Sequence, residues 1–453
     1  MYQSINPTTQ ENLLTINYLS DTDLFEKLKL SQHTFKNWKR TDIGHRRDMM
    51  LALQKKLLEQ KESCANIITL EMGKIISEAR AELEKSAGAC QYYAENASIF
   101  LASKKIASPH VESYIFYEPL GSIYAIMPWN FPFWQVFRCV VPAIMAGNTV
   151  VLKHAENVPQ AAVLIEELFL EAGFPEGVFQ NLFISHQQSE EVVKHTAIKG
   201  ISLTGSERAG SMVAAQASAQ IKRSVLELGG SDPFIVLEDA DINLAAETGI
   251  KARMQNAGQS CIAAKRFILH KNIAEQFLEI FIQKAEAIKL GNPFLEETMM
   301  GPLARVDLLE TLESQINTSI AKGAKILYGA KRMDGPGNFY LPTVLINIPE
   351  HSPAYQEELF GPCASVFTVA NDKEAIYLAN HTKFGLGASL WTHNKEKAFA
   401  FAQEIESGSV FLNAMVKSDT TLPFGGTKNS GYGRELSEAG IHEFVNLKTI
   451  CWD

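Results

Sequence analysis

From Val111 onward the chain alternates between short runs of β-branched and aromatic residues and longer runs with helical spacing. That rhythm restricts it to α/β folds built on parallel sheets, because parallel neighbours need helical crossovers between them. Val111 to Pro119 predicts a strand, as do Ile123 to Ile126, Thr149 to Leu152 and Ile201 to Leu203. Pro159 to Glu171 predicts a helix closed by Gly173 and Pro175, and Arg208 to Ala219 another. A second α/β stretch begins after Gly229-Gly230. Its strands are expected at Phe234 to Leu237, Phe267 to Leu269, Lys325 to Tyr328, Val344 to Ile346, Ala364 to Thr368 and Ser409 to Leu412, with a helix over Ile273 to Ile288. Upstream, Leu24 to Phe100 reads as helical throughout, with Met49, Leu51, Leu53, Leu57 and Leu58 at helical spacing amid Lys, Glu and Gln.

With 453 residues, 46% of them hydrophobic, the chain can bury two or three sizeable cores. The net charge is −9 and the two signs are interspersed, which argues against a nucleic-acid or anionic-membrane surface. An anionic substrate would have to be held by local basic residues. Cys64, Cys90, Cys139, Cys261, Cys363 and Cys451 form no CxxC pair and no metal-ligand spacing, so free thiols in a reducing compartment and no metal are expected. Met1 to Gln10 is polar and carries Pro7, unlike a signal or transit peptide. The apolar run from Phe131 to Met145 is interrupted by Arg138 and Pro142 and is too short to span a bilayer. A cytoplasmic protein is the expectation.

Three motifs carry chemistry. Cys261 ends the run Gln255-Asn256-Ala257-Gly258-Gln259-Ser260-Cys261, a thiol flanked by small residues. Glu227 lies in Leu226-Glu227-Leu228-Gly229-Gly230, where burial would raise its pKa and suit it to proton transfer near neutrality. Asn130, in Pro128-Trp129-Asn130-Phe131-Pro132, has an amide N–H to offer an oxyanion. A thiol nucleophile with a carboxylate fits covalent carbonyl chemistry. A cysteine hydrolase is the alternative; it wants a His beside the thiol, and sequence places none of the 11 histidines there. Two further features lie where α/β folds bind ligands, the first suited to a pyrophosphate and otherwise a plain helix N-cap. Gly205-Ser206 sits between a strand and a helix, although Gly205 and Gly210 do not make a GxGxxG pattern. Lys153 ends a buried strand, where α/β sheets bind ligands.

With Glu358-Leu359-Phe360-Gly361-Pro362, Pro423-Phe424-Gly425-Gly426 and Ser430 to Glu435 added, the chain resembles the aldehyde dehydrogenase superfamily nearly end to end. Within it the chain is most similar to the succinate-semialdehyde dehydrogenases. The resemblance implies an α/β fold of three parts: a Rossmann-like parallel-sheet cofactor domain (1–108 and 120–229), an α/β catalytic domain (230–437) and a small bridging, oligomerisation sheet (109–119 and 438–453). It also implies a homodimer or homotetramer formed through that bridging sheet. By the same resemblance Cys261 is the nucleophile, Glu227 the base and Asn130, with the Cys261 backbone N–H, the oxyanion holder. Attack on an aldehyde would give a thiohemiacetal, hydride loss a thioester, and water activated by Glu227 the free acid. Glu435 matches a glutamate that relays protons, with a surface role after Arg434 the alternative.

The cofactor positions implied are Trp129, Lys153, Glu156, Gly205, Ser206, Glu358 and Phe360. A carboxylate at Glu156 accepts from a ribose 2′-hydroxyl and repels a 2′-phosphate, which favours NAD, with NADP the alternative. The aldehyde tunnel implied by the family takes in Phe131, Trp134, Gln135, Arg138, Gln255, Ile262, Ser418 and Phe424. Arg138 is expected to present a planar fork to a substrate carboxylate, aided by Gln255 and Ser418. Many succinate-semialdehyde enzymes carry a second Arg at the Gln255 position; here Arg253 stands two residues earlier. Glutarate semialdehyde, another short ω-carboxy aldehyde or an uncharged aldehyde is the alternative substrate, and a non-catalytic protein on the same scaffold the remote one.

Overall fold

The computed structural model describes residues 1–453. The structure contains two mainly parallel sheets. The first has six strands in the order Gly431–Tyr432, Arg223–Glu227, Ile198–Thr204, Ser122–Met127, Thr149–His154 and Phe179–Asn181, all parallel except the first. The second has seven, in the order Lys325–Tyr328, Thr343–Ile346, Cys363–Val369, Ala264–His270, Asp232–Val236, Gly387–Trp391 and Ser409–Leu412. There only Lys325–Tyr328 runs antiparallel to its neighbour. A third, antiparallel sheet pairs Val445–Trp452 with Glu112–Pro119, register Val445 to Pro119 through Trp452 to Glu112, and adds Lys104–Lys105 on the far side.

The register explains where a ligand can sit. In the six-stranded sheet Glu227 lies beside Thr204, Leu203 beside Ile126, and Ile126 beside Lys153. The carboxyl ends of four adjacent strands are therefore level, and the turns that leave them carry Leu228-Gly229, Gly205-Ser206, Pro128-Trp129-Asn130 and Glu156. The seven-stranded sheet contributes its amino ends: Cys261 precedes Ala264–His270, and Glu358 and Phe360 precede Cys363–Val369. The site lies between these two edges, the crevice where open α/β sheets bind ligands.

The expected strands and helices of the α/β stretches are found, most a residue or two longer or shifted. The uninterrupted helical reading of Leu24 to Phe100 is corrected to four helices, Asp21–Trp38, Ile43–Glu59, Lys61–Met72 and Ile76–Phe100. Ser20 and Asp42 cap the first two and left-handed Gly73 closes the third, local stop signals that periodicity alone overlooks. Several elements had no counterpart in the sequence reading, among them the hairpin Tyr2–Ile5 with Asn12–Ile16, the strands Phe179–Asn181 and Gly387–Trp391, and the helices Ile242–Met254 and Val306–Ala321. The two strands are buried on both faces and contain no Val, Ile or Thr, so neither alternation nor β-branched residues mark them, whereas the equally buried Thr149–His154 and Ala264–His270 do carry such residues.

The apolar run after Asn130 forms the helix Trp134–Met145, buried along its whole length between Ile76–Phe100 and the six-stranded sheet. Its first N–H groups are satisfied by a distant carboxylate: Glu82 Oε1 accepts from Phe133 N at 2.9 Å and Trp134 N at 3.0 Å. No helix is long and apolar enough to cross a membrane.

Candidate active site

Cys261 stands between two cavities. One is lined by Phe131, Trp134, Arg138, Gln255, Ile262, Ser418 and Phe424, together with Glu78, Glu82 and Lys85 from the helix Ile76–Phe100. The other is lined by Trp129, Asn130, Thr204, Gly205, Ser206, Glu358 and Phe360. Cys261 and Gln135 line both. The tunnel residues expected from the sequence thus gather on one side of the thiol. The nucleotide-binding candidates gather on the other, except Lys153 and Glu156, which lie at the end of a neighbouring strand outside the cavity.

A strained turn delivers the thiol to this position. Asn256, Ala257 and Gly258 follow the helix Ile242–Met254 with φ of 54°, 52° and 73°. The two non-glycine residues cost on the order of 1–3 kcal/mol each, so the surroundings must hold them. Glu78 accepts from Asn256 N at 3.0 Å, and the Asn256 amide donates to Asn130 O at 2.9 Å and Gln259 O at 3.1 Å. Lys265 Nζ donates to the carbonyls of Ser260 and Cys261 at 2.7 and 2.8 Å. At Gly258 a Cβ would fall 2.3 Å from Gly361 O, so no larger residue fits. Asn130 shares the scaffold: its Nδ2 donates to Gln259 O at 3.1 Å, which leaves the second amide hydrogen for a ligand.

Arg253 belongs to this turn. It is fully buried and donates to the carbonyls of Gly258, Leu359 and Gly361, so its guanidinium is not free for a ligand. Its function is to hold the Cys261 turn against the Glu358–Pro362 segment.

The Cys261 thiol is half-buried and unbonded to any other cysteine. Burial pushes it up to about 11, and the positive charges of Arg138 and Lys265 pull the other way. Glu227 is 2% exposed, and neither carboxyl oxygen accepts a hydrogen bond. Burial first, then the nearby Glu435, holds it well above the usual carboxylate range, as the sequence reading anticipated. Its side chain nevertheless lines neither cavity. Oε1 packs against Gly425, where a Cβ would lie 2.8 Å away. To reach a water beside Cys261 the side chain must rotate.

Around Arg138 the burial of Glu435 rules out its surface alternative, and the contacts of the guanidinium limit the expected fork. Glu435 is not on the surface: it is 4% exposed, and its carboxylate pairs with Arg138 Nε. The contact is an ion pair without the alignment of a hydrogen bond. Arg138 Nη2 donates to Thr204 Oγ1 at 3.3 Å, and its guanidinium lies 4.6 Å from the centre of the Phe424 ring. Only Nη1 has no partner in the protein, so the two-pronged fork expected for a substrate carboxylate is already half occupied. Ser418 is engaged as well, accepting from Lys85 Nζ at 2.7 Å and Trp134 Nε1 at 3.0 Å.

On the other side, Ser206 caps the helix Glu207–Ala219 by accepting from Ala209 N at 3.3 Å, so its hydroxyl serves the helix while the turn's backbone borders the cavity. Glu358 Oε1 accepts from Gly230 N at 3.2 Å and pairs with Lys265 at 3.1 Å. Trp129 and Phe360 meet edge to face at 5.8 Å. Lys153 lies 3.9 Å from Glu156, whose carboxylate also accepts from Tyr18 at 3.2 Å.

The sequence reading missed Lys265, Glu78, Glu82, Lys85 and Tyr18. Glu78, Glu82 and Lys85 do recur at helical spacing, but charges on an amphipathic helix ordinarily face water.

The model of the Aldehyde dehydrogenase family matches residues 1–450. A relative from Synechocystis sp., named as a probable NADP(+) succinate-semialdehyde dehydrogenase, is 48% identical over 99% of this chain and 98% of its own length. One from Escherichia coli K12, named as an NAD(P)+ succinate semialdehyde dehydrogenase, is 45% identical over 99% of this chain and 97% of its own. The crystal structure of succinic semialdehyde dehydrogenase from Streptococcus pyogenes in complex with NADP+ superposes with a TM-score of 0.98 at 37% identity, covering 99% of each chain.

Proposed function

Since the chain belongs to the aldehyde dehydrogenase family and is an NAD(P)-dependent enzyme of it, we propose that it oxidises succinate semialdehyde to succinate through covalent intermediates on Cys261. The observation that carries this reading is the position of Cys261 at the junction of two cavities. One has cationic and hydrogen-bonding side chains at it, and the other borders a glycine turn and a helix N-terminus at the carboxyl edge of a parallel sheet.

The second cavity suits a dinucleotide. Gly205 leaves the backbone open, the helix Glu207–Ala219 turns its positive end there, and Trp129 with Phe360 forms an aromatic wall. Asn130 Oδ1 and Gln135 Oε1 are buried acceptors without partners beside it. When bound, NAD(P) supplies the hydride acceptor. Cys261 attacks the aldehyde carbon, and the remaining Asn130 amide hydrogen and the Cys261 backbone N–H hold the oxyanion. After hydride loss a thioester remains on Cys261. Glu227, its pKa raised by burial, rotates from Gly425 to take a proton from the water that hydrolyses the thioester.

The finer preference for NAD over NADP rests on Glu156 alone, against relatives whose names specify NADP+ or NAD(P)+. The held carboxylate supports NAD by its repulsion of a 2′-phosphate. A homo-oligomer is supported by Val445–Trp452, an edge strand with Leu447, Ile450 and Trp452 exposed. A cytoplasmic location is proposed from the free cysteines alone.

The test is kcat/KM for semialdehydes of graded length and for uncharged aldehydes, with each dinucleotide. Succinate semialdehyde should lead the series. A maximum at an uncharged aldehyde would overturn the substrate reading.

A further inference from the structure

Arg138 enters the substrate cavity with its charge already matched by Glu435, and only Nη1 is free of partners. A substrate carboxylate therefore needs a second cation. Two lysines line the same cavity, Lys85 and Lys417. Lys417 is exposed, where water screens its charge. Lys85 is half-buried, makes a single hydrogen bond, to Ser418 Oγ at 2.7 Å, and its Nζ lies 4.2 Å from the centre of the Trp134 ring. It forms no ion pair, so two of its three N–H donors have no acceptor in the protein.

The acidic residues nearby do not take that role. Glu82 is bound to Lys74 and to the amides of Phe133 and Trp134. Glu78 holds Asn256 N. Asp419 accepts from the backbone and hydroxyl of Thr421 at 3.0 and 2.7 Å.

We propose that Lys85 is a substrate-specificity residue, whose ammonium, set between Trp134 and Ser418, binds the carboxylate of the aldehyde substrate together with Arg138 Nη1. The inference rests on the semialdehyde reading above and names the group that makes the cavity select an ω-carboxylate. Lys85, Ser418 and Trp134 then form one subsite: Ser418 accepts from both neighbours and keeps its own hydrogen to donate to the substrate.

This subsite titrates. Burial, and then the positive field of Arg138, pushes Lys85 down to about 7, while Glu82 and Asp419 oppose the shift and Lys417 adds to it. The protonated form binds a carboxylate, so selectivity for the charged aldehyde is largest below that value and declines above it. The substrate carboxylate stays charged throughout this range.

The experiment measures kcat and KM for succinate semialdehyde and butanal with the wild type, Lys85→Met and Lys85→Arg, between about pH 6 and pH 8.5. Taking the ratio of kcat/KM for the two aldehydes at each pH cancels the ionisation of Cys261. Lys85→Met should raise KM for succinate semialdehyde more than it changes kcat and lower the ratio roughly tenfold or more; Lys85→Arg should restore most of it. The wild-type ratio should fall as pH rises through about 7, and the Lys85→Met ratio should be flat. A Lys85→Met enzyme with the wild-type ratio overturns the proposal while leaving the semialdehyde reading intact. A wild type that does not prefer succinate semialdehyde overturns that reading, and Lys85 with it. Should Lys85→Met fail to fold, Lys85→Gln is measured in the same way, and a Lys85→Gln enzyme with the wild-type ratio rejects the assignment.

Discussion

Arg138 and Glu435 are ion-paired in the interior, between the helix Trp134–Met145 and the segment that follows Gly431–Tyr432. Their side chains are 2% and 4% exposed. The pair gives Arg138 a structural function beside any contact with substrate, because a buried charge left alone is costly.

Arg138→Leu should therefore destabilise the protein by about 3–5 kcal/mol, since it strands the Glu435 carboxylate. Replacing both residues by apolar ones should recover most of that loss. Chemical denaturation of the two single variants and the double variant checks this through the coupling energy. Additive losses would show that the two charges do not depend on each other.

The Cys261 thiol, raised to about 11, is mostly protonated at neutral pH. Alkylation of the protein without added dinucleotide should accelerate close to tenfold per pH unit between about pH 7 and pH 9, because only the thiolate reacts. Mass spectrometry of the Cys261 peptide separates it from exposed Cys451. A plateau below pH 8 would indicate a thiolate already stabilised. Cys261→Ala should abolish turnover while dinucleotide binding, followed by fluorescence titration, persists.

Glu227→Gln should leave a burst of reduced dinucleotide and little steady turnover, because thioester hydrolysis loses its base. Rapid mixing resolves the two phases. Loss of the burst would assign Glu227 to activating the thiol, and near-normal turnover would deny it either role.

Glu156→Ser should weaken use of NAD and improve use of NADP, shifting the ratio of their kcat/KM values by about tenfold, the size of one charge-assisted hydrogen bond. A wild-type enzyme that works better with NADP would show that Tyr18 and Lys153 hold the carboxylate away from the ribose.

Motifs that act within a few residues are legible in the sequence alone. The run from Gln255 to Cys261 marks Cys261 as a candidate nucleophile, a thiol with small residues before it, and the structure sets that thiol between two cavities. Leu226-Glu227-Leu228 signals a carboxylate with a raised pKa because apolar neighbours desolvate it, and burial is indeed the largest cause of its shift. The α/β class was legible for a similar reason: alternation of strand and helix periods is a local property, and parallel sheets follow from it. Local patterns were least informative for buried strands without β-branched residues, such as Gly387–Trp391, where neither alternation nor propensity marks the element.

Contacts between distant parts of the chain were decided by the tertiary structure. Glu435 lies 297 residues after Arg138, and only packing brings its carboxylate to the guanidinium expected to be free for substrate. Lys85 and Ser418 are 333 residues apart. In the sequence Glu78, Glu82 and Lys85 have the charge pattern of a helix face in water. The fold lays that face over the cavity, where burial pushes the Glu78 pKa up and that of Lys85 down, and Glu78 and Glu82 become the supports of the Cys261 turn and the Trp134–Met145 helix. A side chain's type and spacing set what it can do chemically. Its solvent exposure and its partners determine which of those things it does, and both depend on the whole chain being packed.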